Sequence, residues 1–415
     1  MSLGALRRPG VFALLVLFTI LHAAAGGLHP ERIILTMTAQ PATSIAVTWR
    51  MGSVAGEGVV EYARATPGTA YAASPMRRAA RCEHLSVPKQ PEAYHYSAIL
   101  NDLIPGATYV YRVGRDSVWS PWHQFTTAVD TAAPFTFTWF GDPQDDILRS
   151  ISRVFQQAMR TAPASSFWLF SGDITSEPED DQLGEFFDAA GFALQSLPSV
   201  MVPGNHDMSF RFADGEYVRN AKGKKVREKT VSPFWNVHFT LPENGIPGTG
   251  ETSYTFDYQG VRFIMINSND LVMEQAAWME PLLANNPNRW TVVAFHHPIY
   301  SAGRDRDDRT TREAFLPLFD RYHVDLVLTG HDHTYARSRK LVNTLIVPDS
   351  AQGTVYATSS SGPKFYAYTS LYDALMARTA VESQFYQVIT IDGGRLQYRA
   401  YSADGALYDD FSLAK

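Results

Sequence analysis

Phe167-Trp168-Leu169-Phe170-Ser171-Gly172-Asp173 is the stretch whose reading decides the fold. Four bulky apolar residues in succession predict a strand buried on both faces. Gly172 then releases the backbone and leaves Asp173 at the strand's carboxyl end, the edge at which open α/β sheets hold their ligands. The same ending recurs along the chain. Phe135 to Phe140 stops at Gly141-Asp142, and Ser199 to Val202 stops at Pro203-Gly204-Asn205-His206-Asp207. Thr291 to Phe295 runs into His296-His297-Pro298, and Val324 to Leu328 into Thr329-Gly330-His331-Asp332-His333. A single aspartate after a strand is an ordinary cap or turn residue. Strand ends that together deliver Asp, Asp, Asn, His and a His-x-His pair toward one edge are hard to explain as caps.

At 415 residues the chain exceeds a comfortable single core, which predicts two domains. Its 45% hydrophobic and 19% charged content is that of a globular protein. The first residues differ: Arg7 and Arg8 precede an apolar run from Val11 to Leu21, and Ala23-Ala24-Ala25 follows. That order predicts a secretory signal peptide over residues 1–25. The alternative, a membrane anchor, suffers because the run falls short of the ~20 apolar residues a spanning helix needs. No later stretch is expected to span a membrane, so the mature chain is expected outside the cell. Without residues 1–25 it is two charges more acidic than the −6 of the full sequence, which argues against a nucleic-acid-binding surface. Cys82 is the sole cysteine and has no internal disulfide partner; it is expected to be a small buried hydrophobe.

Residues 28–129 read as an all-β sandwich. Short alternating segments (Ile33 to Met37, Ser44 to Trp49, Gly58 to Tyr62, Tyr94 to Leu100, Tyr109 to Val113, His123 to Thr127) are separated by Gly, Pro and Asn/Asp turns. Trp49 reads as a core tryptophan. Leu103 to Tyr109 resembles the fibronectin type III corner in which a tyrosine folds back on the turn before it. No catalytic constellation is visible here, so a structural module is expected. Asp130 to Pro134 is a linker, and residues 134–415 alternate strands with helical patterns. Ile147, Ile151, Val154, Phe155 and Ala158 recur at helical spacing, as do Leu183, Phe186, Phe187 and Ala190. A hairpin about Gln259-Gly260 interrupts the alternation. Residues 208–250 form a long insertion with a basic run of Lys222, Lys224, Lys225, Arg227 and Lys229, read first as a solvated loop and second as a substrate-binding one.

Carboxylates, an amide oxygen and imidazoles without thiolates suit Zn, Mn or Fe ions. Asp173, central in the ligand order, is the candidate bridge between two ions, which can hold both the attacking and the leaving oxygens of a phosphoryl displacement. Gly141-Asp142, Gly172-Asp173, Gly204-Asn205-His206-Asp207, Val293-Ala294-Phe295-His296 and Gly330-His331-Asp332-His333 together resemble the calcineurin-like metallophosphoesterases, and within them the purple acid phosphatase branch. A fibronectin-like domain in front is that branch's usual arrangement. The resemblance implies an αββα catalytic domain of two mixed sheets flanked by helices. It also implies that Asp142 and His333 bind a first metal, that Asp173 bridges, and that Asn205, His296 and His331 bind a second. His206 would contact phosphate and protonate the leaving alkoxide. His297 is expected to project to the opposite face of its strand, with substrate contact as the lesser reading.

Two positions depart from the family pattern. Purple acid phosphatases carry a metal-binding tyrosine three residues after the bridging aspartate; here that residue is Ser176. The wider superfamily begins with Asp-x-His; here Asp142-Pro143-Gln144 stands instead. Gln144 is a candidate to complete or hydrogen-bond the first site, with a helix-start residue pointing to solvent as the alternative. Without a phenolate the first metal is expected to be less biased toward Fe(III). The function implied is hydrolysis of a small phosphate monoester by hydroxide formed on the metal pair. A phosphodiesterase or nucleotide hydrolase on the same site is the alternative, and a non-catalytic secreted binding protein the more distant one.

Overall fold

The computed structural model describes residues 29–52 and 56–415, so the expected signal peptide lies outside the described residues. Three layers of packing organise the chain. Strands Phe135–Phe140, Trp168–Phe170 and Ser199–Met201 lie parallel in the middle of a ten-stranded sheet, and Val261–Met265, Trp290–Ala294, Leu326–Thr329 and Val355–Thr358 lie parallel in a seven-stranded one. The two sheets face each other and helices cover their outer faces.

Side-chain alternation explains why Phe167 to Phe170 had to be apolar throughout. Phe167 stacks on Phe137 at 5.0 Å and meets the edge of Phe263 at 5.5 Å, in the layer between the sheets. Trp168 and Phe170 point the other way, onto Phe155 of helix Ser152–Thr161 and Phe186 of helix Asp180–Ala190. Each fully buried aromatic of this kind contributes on the order of 2–3 kcal/mol. The seven-stranded sheet packs its far face on helices Val272–Ala284 and Arg309–Tyr322 through Phe295, Phe315 and Phe319. Among the described residues no helix is long and apolar enough to cross a membrane.

The amino-terminal sandwich has its own core around Trp49, Tyr96, Tyr109 and Tyr111. Trp49 is 1% exposed and stacks on Tyr96 at 5.3 Å. The Tyr109 hydroxyl accepts the Ile104 amide at 3.0 Å, closing the expected tyrosine corner. Strands Met76–Ala79 and Arg81–Leu85 carry no buried residue, which is why no apolar alternation marks them in the sequence. Cys82 sits on the second of these and is exposed, contrary to expectation. Its strand is an end strand of the ten-stranded sheet.

The sandwich is joined to the rest through the sheet itself. Strand Glu31–Thr36 runs parallel to Ser199–Met201, with Thr36 opposite Ser199, so one sheet passes from one domain into the other. Beside this seam Arg32 grips Asp180 through Nη1 and Nη2 at 2.8 and 2.9 Å, and Arg50 reaches the same carboxylate at 2.5 Å. His95 and His238 pack edge to face at 4.7 Å next to them.

The insertion is not a solvated loop. Strand Arg227–Val231 pairs with Met208–Phe210, and helix Pro233–His238 buries Phe234, Trp235 and Val237. Lys225 bonds Glu177 and Glu179 at 2.6 and 2.5 Å and Lys229 bonds Asp270 at 2.9 Å, while Lys222, Lys224 and Arg227 of the run have no acidic partner among the described residues. Glu177 and Glu179 follow Asp173 in the chain, and they draw the basic strand inward.

Candidate metal centre

Each expected ligand follows a parallel strand from one of the two sheets, and the strands' carboxyl ends meet. Asp142, Asp173 and Asn205 come from the ten-stranded sheet; His296, His331 and His333 come from the seven-stranded one. Asp142, Asp173, His331 and His333 hold φ values of 45°, 52°, 72° and 50°. L-residues seldom adopt this left-handed conformation, and such strain concentrates at functional sites. Two glycines make the crowding possible. A Cβ on Gly204 would lie 2.2 Å from Asp173 Oδ1, and one on Gly330 would lie 2.3 Å from Asp142 Oδ2.

Two clusters result, and Asp173 belongs to both. One ligand atom from each of Asp173, His296 and His331 lies within 4.8 Å of the others, and the same holds for Asp142, Asp173 and His333. His296 Nε2 is 3.2 Å from Asp173 Oδ2, 3.2 Å from Asn205 Oδ1 and 3.1 Å from His331 Nδ1. The imidazoles are oriented from behind. His296 Nδ1 donates to the Ser171 carbonyl at 2.9 Å and His333 Nδ1 to the Lys364 carbonyl at 3.1 Å, so each turns Nε2 inward, as a metal ligand's outer hydrogen bond does.

The electrostatics ask for a cation. Burial pushes the Asp142 carboxyl well above its ordinary value, and Asp173 adds to the shift. Burial acts the same way on Asp173, but the His296 charge and hydrogen bond override it and hold that carboxyl well below. Burial opposes protonation of His296, yet the two carboxylates raise it to about 9. Asp142 Oδ2 accepts the His331 amide at 2.7 Å, while Oδ1 is buried without a partner. An unpartnered carboxylate oxygen among inward-facing imidazoles fits divalent metal ions.

Gln144 is fully buried, not turned to solvent. Its Nε2 lies 3.0 Å from Asp173 Oδ2 and 2.9 Å from His333 Nε2, and its Oε1 has no partner. Turning the amide over presents the oxygen to the same point, between residues expected on the first metal. Ser176 points away: its hydroxyl donates to Asp145, and its carbonyl faces His206 Nδ1 at 2.5 Å. His206 is also bound by its amide to Asp173 Oδ1 at 2.6 Å. Burial lowers its pKa, which the Asp173 charge partly opposes.

His297 lies on the ligand side. Its ring stands 4.4 Å from that of His331, and Nδ1 is 2.9 Å from Ser268 Oγ. The expected projection to the opposite face fails because the strand ends at Ala294, so strand alternation no longer governs His297. It lines a groove of about 570 Å³ with Ser268, Asn269, Met273, Asp308 and Thr310.

Three supporting residues escaped the sequence reading. Asp207 accepts the amides of Asp173, Gly204 and Ile174 at 2.8, 2.7 and 3.1 Å and thereby ties two ligand loops together. Arg227, from the insertion, donates to the carbonyls of His206, Met208 and Ser176 at 2.7, 3.0 and 2.8 Å. Arg306 places Nη2 2.8 Å from His331 Nε2. Asp207 is the last residue of its motif, which is a usable signal; the arginines carry none, because their partners are distant in sequence.

Comparison with known proteins agrees with this architecture. Residues 135–335 match the calcineurin-like phosphoesterase family and residues 30–127 the purple acid phosphatase N-terminal domain. Acid phosphatase type 7 of Danio rerio is 28% identical over 272 residues, 59% of this chain and 57% of that protein. An uncharacterised protein of Mycobacterium tuberculosis is 25% identical over 391 residues, 81% of this chain and 69% of its own. In fold, a purple acid phosphatase from yellow lupin (Lupinus luteus) seeds superposes with a TM-score of 0.77 at 17% identity, covering 94% of this chain and 75% of the lupin one.

Proposed function

The chain is a purple acid phosphatase-like metallophosphoesterase, a phosphoric ester hydrolase by family, and on that premise we propose that it is a secreted phosphatase that uses two metal ions to cleave phosphate monoesters. The observation that carries the reading is the sharing of Asp173 between two ligand clusters. One carboxylate common to both is what a dinuclear phosphoryl-transfer site needs. Asp142, His333 and the Gln144 amide would hold one ion, and Asn205, His296 and His331 the other, with Asp173 between them. When bound, the ions supply Lewis acidity that lowers the pKa of water and neutralises charge on the phosphoryl oxygens.

The chain's own groups do the remainder. Nδ1 of His206 donates to the Ser176 carbonyl, which Arg227 also binds, so that Nε2 is the ring's free end for a proton to or from the leaving oxygen. Asp207 keeps the Asp173 and Asn205 loops in register. The groove beside His297 favours a second reading, a phosphodiesterase, because it offers room for another ester arm.

The test compares kcat/KM of the metal-depleted and metal-reconstituted protein on an aryl phosphate monoester and its bis-aryl diester. Metal-dependent turnover with a monoester preference supports the proposal; a diester preference transfers it to the second reading. Turnover that is absent with either ester after metal loading would mean a binding protein. Export is supported by the basic, apolar, small-residue order of residues 7–25, and an exported product that still begins at Met1 would refute cleavage there.

A further inference from the structure

The mouth of the metal centre is built from two loops hung on the ligand segments. Asp332, between His331 and His333, accepts Ser301 Oγ and the amides of Ala302 and Gly303 through one oxygen, at 2.9, 2.7 and 3.0 Å. The second loop starts where the Gly362 amide donates to the Asp142 carbonyl at 2.9 Å, and continues through Lys364, whose carbonyl accepts His333 Nδ1. The loops are then tied to each other. The Arg304 amide donates to the Ala367 carbonyl at 2.8 Å and the Thr369 amide to that of Ala302 at 2.9 Å.

This frame holds two cations around one aromatic ring. The Arg306 guanidinium lies 4.4 Å from the centre of the Tyr366 ring and the Lys364 ammonium 5.3 Å from it, while the same ring meets His333 edge-on at 4.8 Å. Tyr366 therefore stands on the His333 half of the centre, and Arg306 reaches the His331 half. Lys364 is partly balanced by Asp145 at 3.5 Å. Arg306 is only loosely paired: Nε lies 3.8 Å from Asp332 Oδ1, beyond hydrogen-bond reach, and both atoms are buried without a hydrogen-bond partner. The nitrogens that Nη2 approaches belong to His331, and an imidazole cannot give one lone pair both to a metal ion and to a guanidinium. With His331 on an ion, Nη2 of Arg306 would lose that acceptor, and a guanidinium fork matches phosphoryl oxygens.

We infer that Arg306, steadied on Tyr366 and backed by Lys364, binds the unesterified phosphoryl oxygens of the substrate and makes the site selective for a dianionic phosphomonoester over a monoanionic diester. The inference rests on the proposed two-metal phosphatase reading and names the charge of its substrate.

The test uses the metal-loaded protein with Arg306→Ala, Arg306→Lys and Lys364→Ala. Inorganic phosphate affinity is read by calorimetry, metal content by elemental analysis, and kcat/KM on the aryl monoester and diester. Arg306→Ala should retain its metals, weaken phosphate binding about 10- to 100-fold, and reduce the monoester rate constant by a similar factor while leaving the diester within about threefold. Arg306→Lys should recover part of the phosphate affinity, and Lys364→Ala should show a smaller loss in the same direction. Unchanged phosphate affinity in Arg306→Ala, or equal losses on the two esters, would overturn the inference, as would metal loss in both Arg306 variants. A wild-type preference for the diester would instead sink the monoester function itself, whatever the variants do.

Discussion

Arg227 encloses His206 from behind. Its guanidinium donates to the His206 carbonyl at 2.7 Å, lies 3.2 Å from Nδ1 of the ring, and binds the Ser176 carbonyl that Nδ1 also faces. Backbone and ring are thus fixed by one side chain delivered from the insertion.

Arg227→Ala should lower kcat about 10- to 100-fold through misplacement of His206, with KM changed much less and metal content unaltered. Arg227→Lys, which keeps the charge but not the fork, should recover only a part. A variant with wild-type kcat would show that His206 needs no such brace.

Asp173→Ala should lose ions from both clusters and with them all metal-dependent turnover. Gln144→Ala should weaken only the first ion, by about 10- to 100-fold if the amide orients or supports the ligands. Gln144→His, which restores the superfamily's Asp-x-His, should tighten it. Metal titration followed by calorimetry reads all three, and a Gln144→Ala affinity equal to wild type would remove Gln144 from the centre.

Iron-loaded wild-type protein should lack a strong tyrosinate band in the visible, because Ser176 turns its hydroxyl to Asp145 and supplies no phenolate. Ser176→Tyr should create the band. Strong visible absorption in the unmutated iron form would mean that another tyrosine has taken the ligand position.

The seam between the domains should weaken in acid. Burial lowers the His95 pKa to about 3, with help from Arg50 and Arg32, and burial likewise holds His238 well below its ordinary value, with His95 adding to it. Both folded values lie under 6.5, so the unfolded chain takes up protons first. Stability is complete above about pH 6.5 and falls as the pH drops, by about 2 kcal/mol for His95 at pH 5. Urea unfolding at pH 7.5 and 5.0 should therefore show a larger loss for wild type than for His95→Gln, and equal losses would contradict the assignment.

The buried sandwich strands and the strand-end motifs were legible because burial leaves a periodic trace: Phe167, Trp168 and Phe170 must all be apolar where two faces are covered. Residues held by distant partners leave none. Arg227 looks like any member of a basic run until Ser176 and His206 are beside it, and Arg306 is one arginine in a charged stretch until Tyr366 folds over it. Cys82 misled for a related reason, since cysteine's usual burial says nothing about an end strand whose side chains are exposed. His297 was misplaced by extending strand alternation three residues past the strand's end.

The continuous ten-stranded sheet bears on how this protein can be cut. Asp130 to Pro134 looks like a place to divide it, yet a fragment beginning there would leave Ser199–Met201 with a bare main-chain edge where Glu31–Thr36 had been, and Asp180 without Arg32 and Arg50. Raw strand edges recruit other chains. The amino-terminal module is thus a fixed margin of the catalytic sheet, and an isolated catalytic fragment is a candidate for self-association before it is a candidate for activity.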